Sequence, residues 1–193
     1  MIVKLDNLES ERKADRCHIQ YLEEKVDTLE HQLYSTKLEI KNVPKILEET
    51  KEDICEIVKE ISKVLKTPIE RHDIRDVFRT GKKDAPTILV DFNSAYVKEN
   101  VIKGARQFNN RHKENKLNTT HLKLDGPAKP VFLSEKLTPN IYSIYHLERN
   151  FARENEYKYC WTAFGKVFLR RMDGHKQIHI INEEDLHRLR QEK

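Results

Sequence analysis

IRDVFRTGKKDAPTILVDF, residues 74–92, is the stretch that decides the fold. Its two ends, residues 74–79 and 86–92, are rich in Val, Ile, Phe and Thr, which favour β-strands. Between them, Thr80-Gly81-Lys82-Lys83 has the glycine and the polar side chains of a turn. The stretch therefore predicts two successive strands of a β-sheet.

Helical and extended patterns flank these two strands on both sides. Residues 38–44 alternate apolar and polar side chains up to a proline, which predicts an earlier strand. Residues 46–66 and 95–108 each place apolar side chains on one face at helical spacing. His121–Leu124 is a candidate fourth strand. The order β-α-β-β-α-β matches the split βαβ arrangement of RNA-recognition domains, so we predict an RRM-like domain over residues 38–127.

The first segment, residues 1–37, is predicted to be a coiled-coil helix without proline or glycine. Apolar residues follow the alternating spacing of three and four of a coiled-coil seam, although Arg12 and Asp15 interrupt it. We expect this helix to join copies of the chain into a dimer or trimer; the alternative is a helix packed on its own globular part. The predicted seam residues are Leu5, Leu8, Ile19, Leu22, Val26, Leu29 and Leu33.

The last segment, residues 128–193, is predicted to be a small α/β domain. With the coiled-coil helix and the RRM-like domain before it, the predicted fold class of the whole chain is α+β. Ser134 is the predicted N-cap of a short helix at Leu133–Lys136, and Asn182, with Asp185, is the predicted N-cap of a final helix. Trp161 and Phe168 are interpreted as core residues. Between these caps we predict a helix at 139–154 and strands at 157–161, 164–171 and 177–181.

Charge and cysteine content narrow the function classes. Residues 1–73 carry 13 Lys/Arg and 17 Asp/Glu, whereas residues 74–129 carry 12 Lys/Arg and 6 Asp/Glu. A partner that bears phosphates is therefore expected to bind the middle and later parts of the chain. Three scattered cysteines predict no disulfide framework and favour a reducing compartment. No signal peptide and no membrane-spanning run is predicted, and we expect the protein in cytoplasm and nucleus.

Catalytic signatures are missing from the sequence. It has no Walker loop, no GxGxxG, no GxSxG and no HExxH. We therefore expect no enzyme, no catalytic residues, no cofactor and no metal site.

Cationic side chains accompanied by aromatic residues predict a nucleic-acid-binding surface instead. Lysine and arginine neutralise phosphates, and aromatic rings stack on unpaired bases. Such a surface would recognise the base sequence of the nucleic acid poorly. The reason is that residues 87–92, the third strand of the RRM-like domain, lack paired exposed aromatic side chains. The candidate binding residues are Arg75, Arg79, Lys82, Lys83, Arg106, Arg111, Lys113, Lys158, Tyr159, Lys166, Arg170 and Arg171.

Two stretches resemble known families. The N-terminal part of the chain resembles the first open-reading-frame protein of LINE-type retrotransposons. The resemblance lies in the coiled coil and in residues 38–44, 73–83 and 86–92. The C-terminal motifs at 157–161, 165–171 and 180–182 are similar to the baculovirus few-polyhedra (FP) family and to insect transposon-derived proteins that share its C-terminal domain.

The resemblance implies an oligomer whose two small domains form a cleft for single-stranded RNA or DNA, with chaperone activity. Carried over, Arg79 and the pair Arg170-Arg171 are the expected binding positions. For the viral family it implies a role in occlusion-body and virion formation, including traffic of envelope proteins. We therefore keep two hypotheses: a sequence-tolerant single-strand binder of viral or retroelement origin, and an adaptor for viral envelope or trafficking proteins.

Overall fold

A computed structural model describes residues 2–81, 86–124 and 126–191, with side chains from residue 9 onward. Within these ranges the chain is a mixture of helices and antiparallel sheets that follows one long helix. The helices are α1 Ile2–Tyr34, α2 Lys51–Val64, α3 Ala95–Arg111, α4 Pro139–Glu154 and α5 Glu183–Gln191. The strands are β1 Lys37–Lys41, β2 Ile74–Thr80, β3 Thr87–Phe92, β4 Phe132–Glu135, β5 Tyr159–Ala163, β6 Lys166–Arg170 and β7 Ile178–Ile180.

The first sheet has the strand order β2-β3-β1-β4, and all its neighbouring strands are antiparallel. Val77 of β2 pairs with Val90 of β3, which also pairs with Leu38 of β1. These three residues are buried in one hydrophobic core that also includes the apolar faces of α2 and α3. The sheet and the two helices thus bury a shared interior, as a two-layer α+β unit requires.

Local capping explains where the helices of this unit begin. The Thr50 hydroxyl accepts a hydrogen bond from the Asp53 N–H, and the Asp53 carboxylate accepts one from the Thr50 N–H in return. This capping box starts α2 at Lys51, later than the predicted residue 46. The Ser94 hydroxyl caps α3 in the same way by accepting from the Tyr96 N–H.

Two predicted elements around residue 130 are wrong. His121–Leu124 is not a strand: the chain forms a 3₁₀ turn at Thr119–Leu122, with Leu122 buried in the first core. Leu133–Lys136 is not a helix that Ser134 caps: Phe132–Glu135 is the fourth strand and pairs with β1. The first sheet therefore continues past the predicted boundary at residue 127, because pairing with β1 outweighs local helix signals.

The C-terminal unit consists of α4, the three-stranded sheet β5-β6-β7 and α5. Thr138 caps α4, and the predicted cap of the final helix is confirmed, because Asn182 Oδ1 accepts from the Asp185 N–H at 3.2 Å. The core of this unit contains Phe151 of α4 and Val167 and Leu169 of β6. Trp161 and Phe168 lie outside that core, so their interpretation as core residues is wrong.

Helix α1 makes hydrogen-bond contacts with the C-terminal unit from one of its faces. The Thr138 hydroxyl donates to Asp27 Oδ1 at 3.0 Å, and His31 Nε2 lies 3.0 Å from the carbonyl oxygen of Phe164. The predicted seam residues from 19 to 33 remain exposed, with Leu29 at 64% and Leu33 at 58%. No helix among the described residues is long and apolar enough to cross a membrane.

A carboxylic acid lies inside the C-terminal core. Glu148 of α4 is completely buried, and neither of its carboxyl oxygens has a hydrogen-bond partner among the described residues. Burial, with a smaller contribution from the charge of Asp185, raises the pKa of Glu148 to about 8. The folded protein therefore keeps this carboxyl protonated at neutral pH.

We predict that Glu148 makes the protein less stable as the pH rises from about 4.5 to about 8. Below this window the folded and unfolded states are both protonated. Within it the unfolded chain loses the proton that the folded state keeps, so the free energy of unfolding falls by about 1.4 kcal/mol per pH unit. Glu148→Gln should remove this slope in urea unfolding at constant protein concentration.

The matched control is Glu154→Gln, which changes an exposed carboxylate on the same helix. It should leave the pH slope of the parent protein in place. Identical slopes for Glu148→Gln and the parent protein would contradict the prediction.

Candidate nucleic-acid interface

The three-stranded sheet has one face packed on the C-terminal core and one face turned away from it. Val167 and Leu169 are fully buried on the core side of β6. Because successive side chains of a strand alternate between faces, Lys166, Phe168 and Arg170 lie on the other side. With their cross-strand partners they form what we call the aromatic–cationic face: Tyr159, Trp161, Lys166, Phe168, Arg170 and His179.

The rings of this face form a continuous row across the three strands. The ring centroids of Trp161 and Phe168 lie 5.6 Å apart with an interplanar angle of 22°. Phe168 and His179 follow at 5.2 Å. All three positions are paired directly across the strands, which brings their side chains side by side. The sheet thus presents a row of three neighbouring aromatic rings.

Arg170 adds a positive charge to the row. Its guanidinium carbon lies 4.6 Å from the ring centroid of Tyr159 and 5.6 Å from that of Trp161, within range of a cation–π interaction. Its Nε is buried and has no hydrogen-bond partner among the described residues. Arg170 therefore lies against aromatic surfaces, and its positive charge also acts on the nearby Asp173, whose pKa it helps to lower.

One end of the face is fixed by Asp173. The carboxylate of Asp173 accepts hydrogen bonds from Lys158 and from the Tyr159 hydroxyl. The hydrogen bond that Lys158 donates to Asp173 raises the pKa of Lys158 above its usual value, and the bonds that Asp173 accepts from Lys158 and Tyr159 lower the pKa of Asp173. At the other end, partial burial and the nearby charge of Lys166 lower the pKa of His179. His179 is thus an uncharged ring at neutral pH.

Helix α3 brings a further cation from the first unit to the edge of this sheet. Arg106 is exposed and donates from a terminal guanidinium nitrogen to the carbonyl oxygen of Thr162 at 3.1 Å. Thr162 lies on β5 between Trp161 and Ala163, and Arg106 lines a cavity together with Trp161. The structure therefore joins Arg106 to the predicted C-terminal residues.

Arg79, a leading candidate from the sequence, has a structural role instead. Its guanidinium donates to both carboxylate oxygens of Glu49 at 2.6 Å and to the carbonyl oxygens of Val43, Pro44 and Pro86 at 2.7 to 2.9 Å. These five bonds use all of its N–H donors. Its side chain is only 8% exposed. Arg79 therefore has no donor left for a phosphate, and its assignment as a binding residue is corrected.

The other predicted cations do not all meet at this face. Arg75 lies on β2, at the edge of the first sheet farthest from β4, and is within 3.7 Å of Asp91. Arg171 lies over the ring of Tyr157, which packs against the core. Arg111 and Lys113 are exposed at and just beyond the end of α3. Lys82, Lys83 and the side chains of Leu5 and Leu8 lie outside the described residues.

Trp161, Phe168 and His179 are the site residues that the sequence reasoning missed. Aromatic residues on strands are usually buried. For this reason Trp161 and Phe168 were assigned to the buried side of the sheet, although they lie on the other side. A sharper signal was present in β6. Its aliphatic residues Val167 and Leu169 occupy alternate positions, so the residue between them must face away from the core.

The described residues contain no group of His, Cys, Asp or Glu placed to hold a metal ion. Cys160, beneath the aromatic–cationic face, has its pKa raised to about 12, mainly by burial and secondarily by the nearby Glu148. Its thiol therefore remains protonated and is a poor nucleophile at neutral pH. The arrangement of the face offers stacking surfaces and positive charge, which are binding properties.

The fold and the face together define an α+β protein with a long helix and a candidate polyanion-binding surface. Residues 138–190 match the family described as Baculovirus FP protein domain 2. The match starts at Thr138, the cap of α4, and extends into α5, so it contains the whole three-stranded sheet. It supports the resemblance of this part of the chain to the baculovirus FP family. No match to the chain is found among curated proteins.

We predict that Arg79→Met lowers the free energy of unfolding by about 3–5 kcal/mol, because it leaves the carboxylate of Glu49 buried without a partner. Arg75→Met, on the same strand but exposed, should change it by less than about 0.5 kcal/mol. Urea unfolding monitored by circular dichroism measures both. Equal stability of the two variants would refute the structural role of Arg79.

Proposed function

We propose that the protein is a non-enzymatic, self-associating protein that binds single-stranded RNA or DNA on its aromatic–cationic face. The observation that carries this proposal is the row of aromatic rings on the outward side of the C-terminal sheet, accompanied by the cations Lys166 and Arg170. We propose further that it works in cytoplasm and nucleus, is of viral or retroelement origin and acts as a nucleic-acid chaperone.

Stacking supports a single-stranded ligand. Trp161 and Phe168 are partly exposed, and their rings stack on each other, so unpaired bases can extend this stack of rings. In a double helix the faces of the bases are already stacked on each other, whereas an unpaired base can leave the stack and lie on an aromatic ring. The ring surface therefore favours single strands over duplexes.

The charges around the rings support a nucleic acid rather than a neutral ligand. Lys166 is exposed, Arg170 lies over Tyr159 and Trp161, and Arg106 reaches the edge of the same sheet. A backbone that crosses the rings would pass these cations at its phosphates. Because each neutralised phosphate releases counterions, affinity should fall steeply as the salt concentration rises.

The first unit supports an RRM-like arrangement in the proposed fold. Its strand order β2-β3-β1-β4, with α2 between β1 and β2 and α3 between β3 and β4, agrees with the split βαβ pattern. In this proposal the first unit contributes cations such as Arg106 to the edge of the face. The stacking rings come from the C-terminal unit instead.

The exposed stripe on α1 supports self-association. Ile19, Leu22, Val26, Leu29 and Leu33 are each between 47% and 64% exposed in the single chain. The residues that dock α1 on the C-terminal unit, Asp27 and His31, belong to a different side of the helix. Ile19, Leu22 and Val26 also line a shallow cavity with Pro139 and Asn140, so copies of α1 that cover the stripe as a coiled coil would pass beside the start of α4.

The second candidate function is that of an adaptor in baculovirus occlusion-body and virion formation. The match of residues 138–190 to a baculovirus FP domain favours it. In this version the exposed surfaces dock viral envelope or trafficking proteins, and nucleic acid is incidental. Absence of oligonucleotide binding at micromolar protein and near-physiological salt would favour the adaptor.

We predict that Trp161→Ala or Phe168→Ala weakens binding to an oligouridine of about 12 nucleotides by roughly tenfold or more, because each removes one stacking surface. Fluorescence anisotropy at fixed salt measures this loss. Tyr142→Ala is the matched control, since Tyr142 is an exposed aromatic residue of the same unit, on α4. Unchanged affinity in both variants, with circular dichroism confirming that they fold, would contradict the proposed site.

We predict that Leu22→Asp combined with Leu29→Asp reduces the oligomer to monomers in sedimentation velocity, because charges in a coiled-coil seam oppose association. The matched control is Tyr21→Asp combined with Thr28→Asp, which adds the same charges to exposed positions beside the stripe. An oligomer that survives the first pair of substitutions would rule out α1 as the association surface.

A further inference from the structure

A cavity of about 390 Å³ lies at one end of the C-terminal sheet, on the side of the sheet that packs against the core. Part of its wall is apolar and packs against that core, and the rest consists of exposed basic side chains. We call it the end cavity, and its lining residues are Tyr157, Arg171, His175, Lys176, Ile178 and Leu189. It lies outside the aromatic–cationic face, and the proposed function has not yet used it.

The wall of the end cavity contains no carboxylate among the described residues. Four other cavities differ in this respect, because Glu135 or Asp27 lines each of them. Neither Arg171 nor Lys176 forms an ion pair with a residue that the structure describes. Two positive charges therefore line one concave surface without an opposing charge in its wall, which favours an anionic ligand.

The turn between β6 and β7 keeps its one carboxylate engaged elsewhere. Asp173 accepts hydrogen bonds from Lys158 and from the Tyr159 hydroxyl, at the edge of the aromatic–cationic face. Gly174 follows with a φ of +80°, a backbone conformation that glycine adopts without strain in a tight turn. His175 and Lys176 come directly after this turn and line the end cavity.

Arg171 is positioned at the end cavity by two contacts that leave its side-chain donors unused. Its guanidinium carbon lies 5.4 Å from the ring centroid of Tyr157, and its backbone carbonyl accepts from the Lys158 N–H at 2.9 Å. Neither contact uses a guanidinium N–H. The planar fork of an arginine matches the oxygens of a phosphate, so Arg171 is suited to bind one here.

We propose that the end cavity binds the terminal phosphate of the strand that lies on the aromatic–cationic face, a refinement that rests on the proposed function. A terminal phosphate monoester carries about 1.5 to 2 negative charges at neutral pH, whereas each phosphate within a strand carries one. Two cations in a wall without a carboxylate favour the more highly charged group. The cavity and the face adjoin, because Arg170 of the face and Arg171 of the cavity are consecutive residues.

The proposal gives the bound strand a fixed direction on a face that otherwise accepts any sequence. With its terminal phosphate beside Arg171, the strand passes Arg170 and Tyr159 first and the rings of Trp161 and Phe168 next. The bases are then held by stacking without regard to sequence. We therefore expect the protein to bind preferentially at one end of a strand.

Strand ends test the proposal on the unmodified protein. Fluorescence anisotropy at fixed salt compares three oligouridines of about 12 nucleotides with an internal label: one with a 5′-phosphate, one with a 3′-phosphate and one with neither. One phosphorylated strand should bind about tenfold more tightly than the strand without a terminal phosphate, because charge-assisted hydrogen bonds are added. Equal and measurable affinity for all three strands, or an equal gain from both phosphates, overturns the end-phosphate site and leaves the proposed function standing. No binding to any strand defeats the proposed function itself.

Arg171→Gln combined with Lys176→Gln tests the residues. The affinity ratio between the preferred phosphorylated strand and the unphosphorylated strand should fall to about one, because the cations of the cavity are gone. The matched control is Arg149→Gln combined with Arg153→Gln, which removes two exposed positive charges from α4; Arg149 also lies over a tyrosine ring. The control should keep the ratio of the parent protein.

A gain from the terminal phosphate that persists in the Arg171 and Lys176 variant overturns the proposal, as does an equal loss in the control. A phosphoserine peptide that binds the parent protein more tightly than the phosphorylated strand would assign the cavity to a protein partner and overturn the proposal as well. If the variant fails to fold, the comparison of strand ends on the parent protein decides alone.

Discussion

The alternation of side chains along β6 is the constraint on which the candidate site depends. Val167 and Leu169 are fully buried against α4 and the rest of the C-terminal core. Their burial places Phe168 and its cross-strand neighbours on the opposite, partly exposed side of the sheet. Hydrophobic packing on one side of three short strands thereby holds aromatic rings and cations in position on the other.

The two sheets and the long helix meet around one short segment. Glu135 ends β4, accepts from Gly165 in the turn between β5 and β6, and lies in the wall of the cavity next to Trp161. His31 of α1 packs over the same Gly165, where a Cβ would overlap its ring. The end of α1, the edge of the first sheet and the turn of the second are therefore held together through contacts with one glycine.

Much of the secondary structure could be predicted from local patterns. Clear signals are either a regular spacing of apolar side chains or a capping residue. They predict β1 to β3, α3, α4 and the cap at Asn182, and the structure confirms these elements. The strand β4 could not be predicted, because Leu133-Ser134-Glu135-Lys136 looks locally like a helix start. Its pairing with β1, roughly a hundred residues earlier, decides its conformation.

The candidate site was predictable only in part, for two physical reasons. The sequence shows that Arg79 is cationic but not that Glu49 and three carbonyl oxygens surround it, because those partners come together only in the fold. The side of the sheet taken by Trp161 and Phe168 depends on which face packs against α4. Lys166, Tyr159 and Arg170, which the sequence predicts as binding residues, lie on the same face of one hairpin, but their role in binding stays a prediction.

The most direct test uses the single tryptophan of the chain, Trp161, as its own reporter. Its fluorescence is to be titrated with oligouridine while anisotropy of the labelled strand measures binding in the same samples. Stacking of a base on Trp161 predicts that the tryptophan emission is quenched with the same midpoint as the anisotropy change and recovers at high salt. Binding by anisotropy with unchanged tryptophan emission would contradict the claim that the outward face of this sheet holds the strand.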